Sequence, residues 1–296
     1  MTRHLLDIND LDAHDLASIM DLAEDDYPPH VLTGRGVALL FQKPSARTRS
    51  SSELAVFQLG GHPVAIRGDE VGIDSRETAE DVARTLAQYH AAIGARVLDH
   101  RILERMAAVS SSPVINLLSD RGHPLQAVAD LLTLRAHWDG KLAGHRLAFV
   151  GDGNNVARSL TLACALAGVN LSLAAPPGHE LDRATIDAAK MFGGALTQAR
   201  SPEEAVEGAE AVYTDVWVSM GQEAESVQRQ HAFLPYQVNA RLMSRAAPGA
   251  VFLHCLPARR GEEVTDEVIG SRTSLVWAQA ANRLRAMRAV LLWMFA

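Results

Sequence analysis

Val37-Ala38-Leu39-Leu40-Phe41 runs through Gln42 into Lys43-Pro44-Ser45-Ala46-Arg47-Thr48-Arg49-Ser50, and this join of an apolar run to a polar loop decides the fold class. Five apolar residues in a row read as a strand buried on both faces. The segment after the loop reads as a helix to about Leu59, with Gly60-Gly61 as its stop. Strand, loop and helix in that order are one unit of a parallel α/β sheet.

The same alternation continues on both sides of the join. Further strands are expected at His62 to Ile66, Ala91 to Ala95 and Val114 to Leu117, with Arg76 to Tyr89 and His100 to Ala108 as the helices between them. His123-Pro124-Leu125-Gln126 opens a long helix through Trp138, and a domain boundary is expected near residue 137. The pattern then restarts with strands at Arg146 to Val150, Asn170 to Ala174, Ala211 to Val216, Ala250 to His254 and Leu275 to Trp277. Ser201-Pro202-Glu203-Glu204 is a helix start, with a capping oxygen, Pro in the first turn and acids at the positive end of the dipole. The final segment, Ala278 to Phe295, reads as a helix. The fold class is therefore α/β, with two doubly wound domains around central parallel sheets, linked by long helices.

The chain has 296 residues, enough for two domains with separate cores. It is 48% hydrophobic and 21% charged, the balance of a globular protein and not of a disordered one. A formal net charge of −7 argues against a broad nucleic-acid surface, because polyanion binding draws on clustered Lys and Arg. Cys164 and Cys255 stand far apart in unlike contexts, so neither a disulfide framework nor a metal knuckle is expected. Met1 to Asp7 lacks a secretory layout, and Leu160 to Ala175 is too short and too interrupted to span a bilayer. A cytoplasmic protein without a membrane segment is expected.

Four loops at strand ends carry the chemistry. Ser45 to Arg49 combines a helix start, hydroxyls and guanidinium groups, which is a cradle for phosphate; a capped surface helix with two solvated arginines fits the local pattern equally well. Gly151-Asp152-Gly153-Asn154-Asn155 begins like a dinucleotide fingerprint. However, Val156 stands where the third glycine belongs, and Ala174-Ala175-Pro176 supplies no acid for a ribose. Asp215-Val216-Trp217-Val218-Ser219-Met220-Gly221 places a carboxylate and a hydroxyl in a glycine-containing loop, suited to an amino acid's charged groups or simply an irregular loop. His254-Cys255-Leu256-Pro257 sets a thiol at a strand end, where a core role is the commoner fate. Arg259-Arg260-Gly261-Glu262-Glu263 reads as a solvated charged turn. His123 and Gln126, three apart at a helix start, face one ligand or serve as cap and core.

In this order these segments resemble the ornithine carbamoyltransferase family over nearly the whole chain. The family pattern Ser-Thr-Arg-Thr-Arg, His-Pro-x-Gln, Asn, Asp-x-x-x-Ser-Met-Gly, His-Cys-Leu-Pro, Asn-Arg reads here as Ser45 to Arg49, His123 to Gln126, Asn155, Asp215 to Gly221, His254 to Pro257 and Asn282-Arg283. The resemblance implies carbamoyl transfer from carbamoyl phosphate to the δ-amine of L-ornithine, giving citrulline and phosphate in arginine biosynthesis, with no cofactor and no metal. It assigns carbamoyl phosphate to Ser45, Ala46, Arg47, Thr48, Arg96, His123, Gln126 and Arg283, with Cys255 and Leu256 beside the reacting group. It assigns ornithine to Asn155, Asp215, Ser219, Met220, Cys255 and Leu256. Arg96, His123, Cys255 and Arg283 are implied as the catalytic set, and the Leu256-Pro257 bond as cis.

The resemblance further implies a carbamoyl-phosphate domain at 1–136, an ornithine domain at 137–277, and a C-terminal helix, 278–296, returning to the first domain. It implies a homotrimer or a multiple of trimers, with small-molecule substrates and neither nucleic acid nor membrane as partners. Four positions depart from the pattern: Ala46 replaces a threonine, Gly72 stands about where relatives carry Gln or His, Ala281 replaces the glutamate before Asn-Arg, and Arg259 sits where many bacterial members have a histidine. The rival expectations are transfer to another amine, such as putrescine or a modified amino acid, and a non-catalytic regulatory paralogue.

Overall fold

The computed structural model describes residues 2–26, 28–218 and 223–296. The chain divides into two compact units, one formed by Met1–Leu132 with Ala281–Ala296 and the other by Thr133–Ala280. The chain passes from the first unit to the second within the helix Pro124–His137 and returns within the helix Val276–Phe295.

The first unit is built on four parallel strands: β1 (Gly36–Phe41), β2 (His62–Arg67), β3 (His90–Arg96) and β4 (Val114–Leu118), in the order β2-β1-β3-β4. All but the first residue of β1 are buried, because helices cover both faces of a parallel sheet. On one face Ala38, Leu40, Ile93 and Ala95 pack with Val82, Ala83, Leu103 and Met106 from the helices Ala79–Tyr89 and His100–Val109. Each fully buried Leu or Met side chain removes enough apolar surface to stabilise the fold by roughly 2–3 kcal/mol.

The C-terminal helix belongs to this unit from Ala281 onward. Arg3 Nη1 donates to the Trp293 carbonyl at 2.7 Å, and Trp293 Nε1 donates to Asp15 at 3.0 Å. The acidic loop after β2 is closed by Arg105, whose Nη1 and Nη2 reach Asp74 at 2.8 and 2.9 Å and whose Nε reaches Glu80 at 2.8 Å. The Arg105 hydrogen bond lowers the Glu80 carboxyl to about 2. Gly72 ends a single turn of helix at φ 64, and a Cβ there would stand 2.9 Å from Arg76 Cβ. The position that departs from the family pattern is thus one where this chain's own turn calls for glycine.

The second unit holds five parallel strands, β5 (Arg146–Val150), β6 (Asn170–Ala174), β7 (Leu196–Gln198), β8 (Ala211–Tyr213) and β9 (Val251–Leu253), in the order β7-β6-β5-β8-β9. Its core joins Ala148, Val150, Val212 and Phe252 to Val206, Val264, Val268 and Val276. The expected start at Ser201 is present, with its side chain accepting from Glu204 N–H at 3.2 Å and Pro202 in the first turn.

Three expectations need correction here. Leu275 to Trp277 is not a strand: Phe252 N–H donates to the Thr273 carbonyl at 2.9 Å and Leu275 N–H to the Phe252 carbonyl at 2.8 Å, and the helix then begins at Val276. Two backbone bonds beside β9 are all the pairing that segment has before helical geometry takes over, two residues earlier than Ala278. The strand expected at Ala211 to Val216 ends at Tyr213, because Thr214 turns its hydroxyl to the Val150 carbonyl at 2.6 Å. β7 was not expected at all: it is an edge strand with a single apolar residue, Leu196, and gives no hydrophobic run to read.

Candidate functional site

In a doubly wound sheet, ligands gather at the carboxyl ends of strands where the strand order reverses. In the first unit that point lies between β1 and β3, and in the second between β5 and β8. The loop Gln42–Ser45 leaves β1 there, Arg96 ends β3, Gly151–Asn154 leaves β5, and Asp215 follows β8. The connectivity has placed the expected residues in two groups, one per sheet.

The first group centres on the start of the helix Ala46–Gln58. Ser45 is its N-cap, in extended conformation, and its Oγ accepts from Thr48 N–H at 3.4 Å and donates to Thr48 Oγ1 at 3.1 Å. The amides of Ala46 and Arg47 precede any intrahelical acceptor and face the end of the helix with its partial positive charge. Both residues are exposed, whereas Thr48 is 1% exposed. Arg49, the last residue of the motif, turns away to pair with Glu53 at 2.8 Å.

Arg283 reaches this helix start from the C-terminal helix. Its Nη2 donates to Thr48 Oγ1 at 3.3 Å and its Nη1 to Gln126 Oε1 at 2.6 Å. Gln126 Nε2 in turn donates to Asp130 at 2.7 Å, which fixes the amide with its oxygen toward Arg283. Arg96, His123, Gln126 and Arg283 are all buried. Burial first, and then the charges of Arg283 and Arg96, hold the His123 imidazole well below its usual pKa, so it is neutral at neutral pH. A neutral imidazole between two guanidinium groups can donate to a carbonyl oxygen while the arginines meet an anion.

In the second group, Asp215 is 4% exposed and its two oxygens have different donors. Asn154 Nδ2 donates to Oδ2 at 2.9 Å and Cys255 Sγ to Oδ1 at 3.0 Å. Asn154 also caps the helix Asn155–Ala167, its Oδ1 accepting from Val156 and Ala157 N–H at 2.9 and 3.0 Å. Asn155, the residue expected at the site, is the first helical residue beside it. Ser219 and Met220 lie outside the described residues. The Leu256-Pro257 bond is cis and Leu256 has φ 59, which sets the Cys255 turn apart from ordinary strand-to-loop geometry.

The Cys255 turn is held from behind by groups that sequence reasoning did not single out. His254 and Glu263 are both fully buried, and His254 Nδ1 accepts from Leu256 N–H at 2.9 Å, so Nε2 carries the proton and donates to Glu263 at 3.0 Å. Glu263 also accepts from Arg259 N–H at 2.6 Å, and His254 N–H donates to Gln279 at 2.9 Å. The turn Arg259 to Glu263 is thus only half solvated: Arg259 and Arg260 are exposed, while Glu263 is a core acceptor. Its identity as a core acid has no local signal, since it stands at the end of a run of charged residues next to Glu262.

Asp152 was likewise quoted without a role. It accepts from the buried Arg229, and burial pushes its carboxyl up to about 6, Arg229 opposing and the nearby Asp215 charge adding to the rise. Asp215, His254 and Cys255 offer metal-type ligand atoms within 4.8 Å of one another. Cys255 is bonded to Asp215, and both His254 nitrogens are committed to Leu256 and Glu263.

The fold thus gathers a helix start with buried guanidinium groups in one unit and the Asp215–Cys255 turn in the other. Residues 3–136 match the carbamoyl-phosphate-binding domain of the aspartate/ornithine carbamoyltransferases, and residues 143–294 match the aspartate/ornithine-binding domain. The chain belongs to the aspartate/ornithine carbamoyltransferase family. It is 44% identical to the anabolic ornithine carbamoyltransferase of Pyrococcus furiosus, across 98% of this chain and 95% of that protein. It is 46% identical to the ornithine carbamoyltransferase of Thermus thermophilus, across 99% and 96%. The solved structure of the Pyrococcus furiosus enzyme superposes with a TM-score of 0.93 over 98% of this chain and 96% of that one.

Proposed function

We infer that this chain transfers the carbamoyl group of carbamoyl phosphate to the δ-amino group of L-ornithine, yielding L-citrulline and phosphate for arginine biosynthesis. The observation that carries the reading is the convergence on one helical turn. Arg283 bonds both Gln126, 157 residues away in sequence, and Thr48, 235 residues away, at the start of the helix whose first residues, Ala46 and Arg47, are exposed.

In the proposed reaction Ser45, Ala46, Arg47 and Thr48 bind the phosphate through backbone N–H groups, hydroxyls and the Arg47 guanidinium. Arg96, His123 and Arg283 face the carbamoyl and phosphate oxygens. Gln126 acts through Arg283. The neutral δ-amine attacks the carbamoyl carbon, negative charge gathers on the carbonyl oxygen, and the C–O bond to phosphate breaks. Fixed cations and a neutral imidazole donor lower that barrier because they are oriented before the charge appears. Asp215, with Asn155, Ser219 and Met220, holds the amino-acid end of ornithine, and Cys255 and Leu256 lie beside its reacting end. The proton lost by the amine goes to the departing phosphate or to the Cys255–Asp215 pair.

The unit rich in phosphate ligands is proposed as the carbamoyl-phosphate domain and the unit bearing Asp215 as the ornithine domain. A cytoplasmic homotrimer, or a multiple of trimers, is the proposed assembly on the strength of the family resemblance, and the acidic charge balance argues against nucleic acid as a partner. Among the described residues no helix is long and apolar enough to cross a membrane. The test is citrulline formation from carbamoyl phosphate and ornithine, with putrescine, lysine and aspartate as parallel acceptors. Turnover with ornithine above all three is the expected result; a faster rate with putrescine, or none with any acceptor, overturns the reading. Sedimentation equilibrium tests the trimer.

A further inference from the structure

We propose that Arg229 is a positioning residue for the ornithine half-site, fastening the chain that follows Asp215, at Trp217, and the helix Ser226–Phe233 to the turn that orients Asp215. The proposal rests on the assignment of ornithine to Asp215 and its neighbours.

Arg229 lies on the helix Ser226–Phe233 and its side chain is 5% exposed. Its fork of donors is spread over three separate pieces of chain. Nε donates to the Trp217 carbonyl at 2.6 Å, Nη2 to the Asp152 carboxylate, and Nη1 lies 3.2 Å from His179 Nδ1. The guanidinium also stacks over the Phe233 ring, 5.1 Å from its centroid. Trp217 is two residues beyond Asp215, so one guanidinium ties the chain that follows Asp215 to the helix Ser226–Phe233.

The second link runs through Asp152. Two residues on, Asn154 donates to Asp215 Oδ2, so the turn Asp152-Gly153-Asn154 carries Arg229 at one end and Asp215 at the other. The turn has little freedom to shift. Gly153 N–H donates to the His179 carbonyl at 2.8 Å, and a Cβ at Gly153 would stand 2.5 Å from the Glu180 carbonyl carbon. A displacement of Arg229 is passed to the Asp215 carboxylate through a rigid connection.

Charge supports the same role. Among the described residues the donors to Asp215, the Asn154 amide and the Cys255 thiol, are neutral, whereas Asp152 is matched by Arg229. The half-site is left with a carboxylate at Asp215 to meet an ammonium group. Buried ion pairs of this kind contribute little to stability over apolar side chains of equal size, so orientation is the function that explains keeping one here.

Arg229→Lys keeps the charge but cannot reach Trp217, Asp152 and His179 at once. It is expected to raise KM for ornithine by about tenfold to a hundredfold, since misplacing a binding group by a fraction of an ångström has effects of that order. The dissociation constant of carbamoyl phosphate for the free enzyme, measured by calorimetry, is expected to stay within about twofold, as that ligand is assigned to other residues. An unchanged KM for ornithine, or a parallel loss of carbamoyl-phosphate affinity, overturns the proposal. If Arg229→Lys fails to fold, Asp152→Asn, which keeps the acceptor's size and removes its charge, must show the same split, and its absence is equally fatal. Asp215→Asn separates the two levels. If it leaves KM for ornithine unchanged, the half-site assignment is wrong; if it raises KM while Arg229→Lys does not, only the positioning role is wrong.

Discussion

Arg283 Nη1 donates to Gln126 Oε1 at 2.6 Å, and the same guanidinium donates to Thr48 Oγ1 at 3.3 Å. Neither bond can be made by a lysine ammonium in the same planar fork. Arg283→Lys is expected to lower kcat/KM for carbamoyl phosphate by roughly a hundredfold to a thousandfold, the usual effect of removing a preorganised donor. Gln126→Leu, which frees Arg283 from its fixed amide, is expected to produce a smaller loss in the same parameter. Steady-state citrulline assays with carbamoyl phosphate varied check both, and a Gln126 effect exceeding that of Arg283 reverses the assigned order.

The exposed helix start makes a separate prediction. Arg47→Ala is expected to abolish detectable carbamoyl-phosphate binding by calorimetry, because it removes the paired charge-assisted contacts of a guanidinium at the helix start. Ala46→Thr restores the hydroxyl common to the family pattern and is expected to bind equally or more tightly. Binding by Arg47→Ala at native strength removes this loop from the site.

His123 predicts a pH dependence. Its folded pKa lies below the ordinary 6.5, chiefly through burial and then through Arg283 and Arg96. Between the folded value and 6.5 the unfolded chain binds the extra proton, so this group's contribution to stability rises with pH through that window and is lost below it. Its imidazole is expected to remain neutral as pH falls through 6.5, observed by heteronuclear NMR against a His123→Asn spectrum. Titration of His123 at or above 6.5 contradicts the buried, doubly cationic setting.

The Cys255 thiol donates to Asp215 at 3.0 Å. Cys255→Ala leaves one carboxylate oxygen without that donor and is expected to reduce kcat/KM for ornithine by about tenfold, in line with the loss of a hydrogen bond to a charged group. Cys255→Ser keeps a donor and should fall less. Equal losses in the two variants locate the effect in the sulfur's size or acidity and not in the hydrogen bond.

Gly72→Ala adds a Cβ 2.9 Å from Arg76 Cβ at a φ of 64. A destabilisation of about 1–2 kcal/mol is expected from the backbone conformation alone. Denaturant unfolding monitored on the first unit measures it. A neutral substitution shows that the turn relaxes around the added atom.

The candidate residues could be picked out before folding because they sit at element boundaries. Ser45 declares itself as a cap, His123-Pro124 opens a helix, and Cys255-Leu256-Pro257 ends a strand, so each is marked by a change of pattern. Asp152, Arg229 and Glu263 carry no such mark. Each is a charged residue in a polar stretch, and burial at 6%, 4% and 0% exposure is conferred only by segments distant in sequence. The strand at Leu196–Gln198 escaped for the same reason, since its pairing with β6 needs no apolar run.

The sequence by itself determined the two α/β units, the order of the motifs and the family, because periodicity and motif order are properties of the chain taken a few residues at a time. Tertiary structure alone decided which of those motifs come within hydrogen-bond reach of one another. Thr48 joins Gln126 and Arg283, and Asp215 joins Asn154 and Cys255, because strand order brings particular carboxyl ends together. It also decided which charges lose their water. Desolvation depends on every element packed around a group, and no local run of residues records it.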